Sequence, residues 1–415
     1  MRVLIIHRYF WPDRPAYAVM LRAMAGRLAA AGHEVTVLTA QPSYGGPGQQ
    51  RAAAEEQLDG FRVLRVDLFA ETKKSLWRKA INLALFRWKI RRVARREGPF
   101  DVIMAATTPP VYVAATALRL AREQGASFVY HNQDIYPEIA VAIGAIRRQA
   151  FVARLKRDDQ RVLEGASRVV VLSEDMARAQ RQRGADPSKL RIRNNFCLPR
   201  FDDGEPAEAA AAEWTPPPQW DAEDTRFRVL FAGNLGRFQC LDQVMDAAHA
   251  LAGEREVRFD FVGDGAARAD LEQQAGELLG QSVYFHGFVS TDMVRQMTAQ
   301  ADLSLITLAP EVIRYAYPSK LMTYLEAGAV LLAVLEEDSE LATTVREEGV
   351  GFTCPAAGGE VIAAAIREAR DRRAEADAMR ARSRALAERA FGAERALDDW
   401  QALFAELEAE RGGGA

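Results

Sequence analysis

Four groups of residues have types and spacings that could do chemistry. The first is Tyr317–Gly328, YPSKLMTYLEAG. Pro318 opens it, Ser319 and Lys320 follow, and Leu321, Met322, Leu325 and Ala327 recur at helical spacing before Gly328. A helix start has unpaired N–H groups and a partial positive charge, so a phosphate fits there, with a hydroxyl from Ser319 and a full charge from Lys320. The same pattern would also make an ordinary buried helix with a proline start and a glycine stop. The second group is Gly233-Asn234-Leu235-Gly236 followed by Arg237. Glycines there would let the backbone approach a ligand and bare its N–H groups. Gly263-Asp264-Gly265 has the look of plain turn chemistry.

The third group is His131, Asn132, Gln133, Asp134 and Glu138, crowded within eight residues at the end of an apolar run. A lone histidine is usually structural. A His, an Asp and a Glu together at a strand end are a better signal of a site. The fourth is Lys73–Arg96, with ten Lys and Arg and no acid. Trp77, Ile81 and Trp88 interleave with Lys73, Lys74, Arg78, Arg91 and Arg92 near helical spacing. A basic amphipathic helix with tryptophans suits an anionic membrane surface, where each cation contributes about 1 kcal/mol. The solvated face of an ordinary helix and a nucleic-acid patch are the other readings, the last the least favoured.

Alternating strands and helices must position these groups. Val3–Ile6 is a short apolar run of the buried-parallel type, followed by a loop from His7 to Tyr17, a helix marked by Val19, Met20, Met24 and Leu28, and a strand at Val35–Thr39. This is a βαβ unit, in which ligands bind beyond the strand C-termini, so the His7–Tyr17 loop lies at a mouth. Residues 40–60 read as loop, 61–69 as strand, 100–110 as a strand running into Thr-Thr-Pro-Pro, and 127–140 as a strand and polar loop. Residues 199–225 are proline-rich and acidic and mark a boundary. A second alternation runs from 227 to 334, and the last 35 residues are helical.

The domains expected are 1–198, a linker 199–225, and 226–389, with a helix over 390–411 packing back on the first. The fold class is α/β, two doubly wound sheets. Residues 1–200 hold 34 Lys and Arg against 18 Asp and Glu, while the rest hold 20 against 39, so the net charge of -3 conceals a dipolar chain whose first half suits an anionic partner. Three distant cysteines offer neither metal spacing nor a disulfide framework and fit a reducing cytoplasm. MRVLIIHRYF reads as a strand rather than a signal peptide, and no run reaches the roughly 18 apolar residues of a membrane span.

The segments GHEVTVLTAQPSY (32–44), DGFRVLRVDLF (59–69), QDIYPE (133–138), VVVLSE (169–174), FAGNLGRFQCLD (231–242) and YPSKLMTYLEAG (317–328) occur in the order found in GT-B glycosyltransferases of family 4. The chain resembles that family, especially the bacterial group that builds O-antigen, capsule and exopolysaccharide. The resemblance implies two facing Rossmann-like domains, a nucleotide-sugar donor held mainly by the second and a polyprenyl-diphosphate-linked or glycan acceptor held by the first. It implies that Gly233, Asn234, Gly236, Arg237, Pro318, Ser319 and Lys320 hold the diphosphate, that Phe288 and Val289 lie beside the base, and that Thr323 and Glu326 lie near the ribose. His131 and Asp134 would border the sugar and the acceptor hydroxyl, with Glu138 and Tyr17 on the acceptor side. The chain departs from the family pattern at Thr323, where many members carry a glutamate, and at Arg14-Pro15-Ala16, where paired glycines are common.

The expected reaction is glycosyl transfer with retention, with catalysis by His131, Asp134 and Lys320. No cofactor or metal is expected, and no nucleic acid. The enzyme would be cytoplasmic, peripheral on the inner membrane face. A sugar-nucleotide 2-epimerase on the same fold and a catalytically silent glycan- or enzyme-binding partner are the competing classes.

Overall fold

The computed structural model describes residues 1–13, 15–43, 50–69, 76–107, 111–142, 144–199, 201, 220, 223–254 and 256–413. The chain divides into two compact units. Unit 1 comprises Met1–Arg200, Tyr315–Tyr317 and Ala393–Ala415, and unit 2 comprises Phe201–Arg314 and Pro318–Gly392.

In unit 1 the strands are β1 (Arg2–Ile6), β2 (Glu34–Ala40), β3 (Glu55–Leu58), β4 (Phe61–Val66), β5 (Val102–Ala106), β6 (Ser127–His131), β7 (Arg168–Val171) and β8 (Leu190–Ile192). They form one sheet in the order β3-β4-β2-β1-β5-β6-β7-β8, parallel except for the antiparallel edge pair β3–β4. Central strands are buried throughout because helices cover both faces, hence their unbroken apolar runs. The helices are α1 (Ala16–Ala30), α2 (Leu76–Glu97), α3 (Tyr112–Gln124), α4 (Glu138–Ala142), α5 (Gln149–Gly165) and α6 (Glu174–Gln182). Ser173 caps α6, accepting from the Met176 N–H at 3.2 Å, as its sequence and acidic first turn suggest. The order of the sheet reverses between β1 and β5, so the loops after these strands flank a topological switch point.

One strand was read as loop. Residues 40–60 contain β3, whose sequence EEQL has no apolar alternation because it is an exposed edge. The Asp59-Gly60 turn, with φ of 46° and 82°, joins it to β4; both values are left-handed, as a type I′ hairpin turn requires.

In unit 2 the strands are β9 (Phe227–Ala232), β10 (Val257–Val262), β11 (Val283–Phe285), β12 (Leu303–Thr307), β13 (Leu331–Val334) and β14 (Gly351–Cys354), all parallel in the order β11-β10-β9-β12-β13-β14. The helices are α7 (Leu241–Ala250), α8 (Arg268–Ala275), α9 (Thr291–Gln300), α10 (Lys320–Ala327), α11 (Glu340–Glu347), α12 (Gly359–Asp371) and α13 (Ala376–Phe391). The switch point lies between β9 and β12. Trp220, within the stretch read as linker, is buried in this unit: the Arg228 guanidinium lies 3.9 Å from its ring centroid and its indole N–H donates to Gln300 Oε1 at 3.0 Å.

The final helix, α14 (Ala393–Gly412), belongs to unit 1. Its Leu397, Trp400, Leu403, Phe404 and Leu407 share a core with Met20, Leu21, Met24 and Leu28 of α1.

Candidate functional site

In unit 2, Lys320 is the first residue of α10. Its Nζ lies 3.4 Å from the centroid of the Phe231 ring, and it donates to Gln239 Oε1 at 3.2 Å. No carboxylate pairs with it among the described residues. Burial without a counter-charge among the described residues pulls its pKa well below the ordinary lysine value. Tyr324, one turn later, is fully buried and anchors the helix to the end of β9. Its hydroxyl accepts from Ala232 N–H at 2.6 Å and donates to Ala232 O at 3.3 Å.

The glycine loop after β9 differs from expectation. Of its four residues, Gly233 N–H donates to Val262 O at 2.9 Å, Leu235 N–H to Asp264 O at 3.0 Å, and Gly236 N–H to Asn234 O at 2.8 Å. Three of the amides expected to be bare are engaged. The glycine at 233 is instead required by space and backbone. Its φ is 141°, and a Cβ there would sit 3.3 Å from both Cε and Nζ of Lys320. Gly263 and Gly265, read as plain turn residues, let the next loop pack against this one. A Cβ on Gly263 would come 2.1 Å from Gly233 O, and one on Gly265 2.4 Å from Leu235 O.

The other residues expected around a donor in unit 2 are spread as follows. Pro318 is buried, Ser319 is exposed at the start of α10 without a side-chain cap, and Thr323 is half-buried. Arg237 is exposed and forms no ion pair among the described residues, and Asn234 is exposed. Phe288 projects from the loop after β11 with 89% of its surface exposed, next to half-buried Val289. Glu326 does not join Lys320. It lies about 120° round the helix at 100° per residue, and its carboxylate is paired with Arg295 of α9 at 2.8 Å.

In unit 1, His131 ends β6 and is 2% exposed. The Gln133 amide nitrogen donates to His131 Nε2 at 3.0 Å and to Asn195 Oδ1 at 3.1 Å, which leaves the imidazole proton on Nδ1, facing Tyr17 Oη at 2.8 Å. The His7 and His131 rings lie 4.9 and 5.2 Å from Tyr17, and Trp400 lies 4.8 Å from His131. Burial lowers the His131 pKa to about 3 and that of His7 to about 4, and raises that of Tyr17. With both nitrogens engaged and the ring packed between aromatics, His131 holds Tyr17 and Gln133 in place rather than offering a free nitrogen.

Asp134 differs. Its N–H donates to Thr107 Oγ1 at 3.2 Å, it forms an isolated antiparallel bridge with Ala316, and the next N–H, of Ile135, donates to Tyr315 O at 2.7 Å. Its carboxylate has no hydrogen bond or ion pair among the described residues, and burial raises its pKa to about 6. Glu138, expected on the acceptor side, has its Oε1 3.5 Å from both Lys156 and Arg183, while its Oε2 is buried with no hydrogen-bond partner among the described residues. Of the residues expected around the acceptor, the structure brings His131 and Tyr17 into contact, while the Asp134 backbone meets Thr107 and Ala316. Sequence reasoning missed Phe231, Gln239, Tyr324 and Trp400. Of these only Tyr324, one turn after Lys320, had a local signal.

Helix α2 buries Asn82, Phe86, Ile90 and Ala94 on one face. Asn82 uses its amide to accept from Phe69 N–H at 3.0 Å and donate to Phe69 O at 2.8 Å. The opposite face leaves Trp77, Ile81 and Trp88 exposed at 63%, 44% and 55%. Arg78 lies over Trp77 and Arg92 over Trp88, while Arg91 is half-buried. Lys73 and Lys74 fall outside the described residues. No helix among the described residues is long and apolar enough to cross a membrane.

Two doubly wound parallel sheets, each with its switch point furnished with polar loops, define the GT-B class. Residues 16–195 match the family described as glycosyl transferase 4-like domain, and residues 226–371 match glycosyl transferases group 1. The chain belongs to these glycosyltransferases. It is 27% identical over 273 residues to WbjE of Pseudomonas aeruginosa, a protein named as a glycosyltransferase, covering 65% of this chain and 66% of that one, just under two thirds. It is 25% identical over 380 residues to WcaI of Escherichia coli (strain K12), named as a colanic acid biosynthesis glycosyl transferase, covering 89% of this chain and 92% of that one. Among solved structures, Anabaena Alr3699/HepE in complex with UDP superposes with a TM-score of 0.67 at 16% identity, covering 98% of this chain and all of that one.

Proposed function

We propose that this glycosyltransferase moves a sugar from a nucleotide-diphosphate donor to a polyprenyl-diphosphate-linked or glycan acceptor in bacterial surface polysaccharide synthesis, with retention and without a metal. Unit 2 takes the donor and unit 1 the acceptor. The family membership, the names of WbjE and WcaI, and the UDP bound by HepE support this reading. The observation that carries it is Lys320: an amine placed beside a glycine loop and a helix start, resting on an aromatic ring with no carboxylate paired to it among the described residues.

Transfer breaks the bond from the sugar C1 to the diphosphate oxygen and forms one from C1 to the acceptor oxygen. The acceptor hydroxyl proton passes to the leaving diphosphate oxygen, on the same face of the sugar, so no enzymic nucleophile is needed. Negative charge grows on the diphosphate as the bond breaks, and fixed cations aimed there give the largest gain. Lys320, Arg237 and the positive end of the α10 dipole supply that charge, with Ser319 adding a hydroxyl. Phe288 offers a face for the base. Asp134 orients hydroxyls on sugar or acceptor, and Tyr17, held by His131, borders them. Glu326, already paired, leaves the ribose to Thr323 and backbone. The exposed Trp77, Ile81 and Trp88 of α2 insert at the inner membrane face, where the acceptor lipid resides.

A thermal-shift screen across UDP-, GDP-, dTDP- and ADP-sugars tests the donor assignment. One donor should raise Tm in proportion to its affinity, and NMR of the product should show the donor's anomeric configuration kept. A panel in which no nucleotide diphosphate stabilises the protein would overturn the donor site, and an inverted product would overturn the mechanism.

A further inference from the structure

A groove of about 430 Å³ lies in unit 1 among α2, α3 and α5. It is walled by Arg87, Arg119, Arg122, Arg154 and Arg161, with Asp158 the one acid among the described residues that line it. The arrangement follows from helical spacing. Ala115, Arg119 and Arg122 share one face of α3, and Arg154, Asp158 and Arg161 one face of α5. Asp158 serves two of the five cations, lying 3.1 Å from Arg161 and 3.8 Å from Arg154. Arg87 is held by a hydrogen bond to Thr116 Oγ1 at 3.0 Å and lies over the Tyr112 ring at 5.4 Å. Neither interaction neutralises it. Arg119 and Arg122 are exposed and form no ion pair among the described residues. Five like charges face one concavity with one acid among the described lining residues to offset them, so an anion placed there is attracted by all five.

We propose that this groove is a binding site for a phosphate or diphosphate group, separate from the donor site of unit 2. Guanidinium forks match phosphate oxygens in pairs, which suits arginine rather than lysine in all five positions. Arg87 lies about 100° round α2 from the exposed row of Trp77, Ile81 and Trp88, at 100° per residue. A phosphate carried on a lipid would therefore reach the groove beside the apolar face. This second step rests on the membrane reading of α2; the groove itself does not.

The probe is inorganic pyrophosphate, titrated calorimetrically into the full chain carrying Lys320→Ala, so that the donor site is disabled. Saturable binding should persist there. Adding Arg119→Glu with Arg122→Glu should weaken it about tenfold or more, and adding Arg178→Glu with Arg181→Glu, an equal charge change on α6, should not. Arg119→Gln with Arg122→Gln is the milder pair, and a thermal melt checks its fold. Absence of saturable binding in the Lys320→Ala protein, or equal loss in the α6 control, overturns the proposal. Cosedimentation with phosphatidylcholine vesicles, with and without phosphatidylglycerol, identifies the source. A groove that serves lipid loses vesicle binding with the Arg119/Arg122 pair, whereas one that serves a soluble phosphate loses only pyrophosphate.

Discussion

Replacing Lys320 with methionine should abolish most of the activity while leaving the fold at least as stable. Methionine keeps the length and can still lie over Phe231, so the change isolates the charge. A unit positive charge about 3 Å from a phosphate oxygen contributes about 5 kcal/mol at an effective dielectric of 20. Part of that is already present with the ground-state donor. The part that grows with the leaving charge matches the loss of one fixed donor to a developing anion, about 2.7–4 kcal/mol, or 10²–10³ in turnover. The stability effect has the opposite sign. The folded-state pKa of Lys320 lies well below its ordinary value of 10.5, so the unfolded chain binds more protons at neutral pH and the lysine costs stability there. That cost shrinks as pH rises toward the ordinary value. Lys320→Met should therefore raise Tm at neutral pH, with the gap to wild type closing under alkaline conditions. The assay is turnover at saturating donor alongside melts across pH. Turnover within about threefold of wild type, or a lower Tm at neutral pH, would refute the placement of an uncompensated amine at this position.

The other perturbations test neighbouring parts. Gly233→Ala forces a Cβ to within 3.3 Å of the lysine and into a φ of 141°, so it should cost about 1–3 kcal/mol by denaturant melt and weaken nucleotide binding in the same variant. Asp134 has a folded-state pKa raised from 3.8 to about 6. Its ionised form costs stability at neutral pH, a cost that fades as pH falls through 6. Asp134→Asn should thus raise Tm at pH 7, and kcat/KM, if it follows the carboxylate, should fall below pH 6 in wild type only. Trp77→Ala with Trp88→Ala removes two exposed rings, so Tm should stay within a degree or two, while binding to anionic vesicles drops. Unchanged cosedimentation would remove α2 from the membrane account.

The fold was legible because buried parallel strands are rich in apolar residues: β1, β5 and β13 are nearly unbroken apolar runs, and β2 and β9 keep the character despite Thr36 and Arg228 within them. Strand β3 was not, since an edge strand of sequence EEQL buries too little to leave a pattern. At the sites, residue type was legible and partnership was not. Lys320 was evident as a cation at a helix start, but Phe231 and Gln239, which hold it, come from β9 and the loop beyond. The crowd of polar residues after β6 pointed to a site. Only the fold separates Asp134, whose carboxylate stays unpaired among the described residues, from Glu138, which Lys156 and Arg183 claim. His131 is packed by Trp400 from the last helix, a contact no local window contains.

The glycine loop lies beside Lys320, but its glycines serve a different purpose from the one its sequence suggests. Bare amides were expected at Gly233 and Gly236, yet both N–H groups are spent on the backbone. What the absent side chain at 233 provides is room for the Lys320 amine, and what it provides at 263 and 265 is close contact between two adjacent loops. On the proposed donor assignment the loop would act on an anion indirectly, by fixing where the amine rests. In the resting protein that amine lies over the Phe231 ring and donates to Gln239, weak substitutes for a diphosphate, which offers several charged oxygens. An amine held in so poor an environment would gain a far better partner on binding a diphosphate, so the burial that costs stability at rest would sharpen the differential interaction the proposed mechanism relies on.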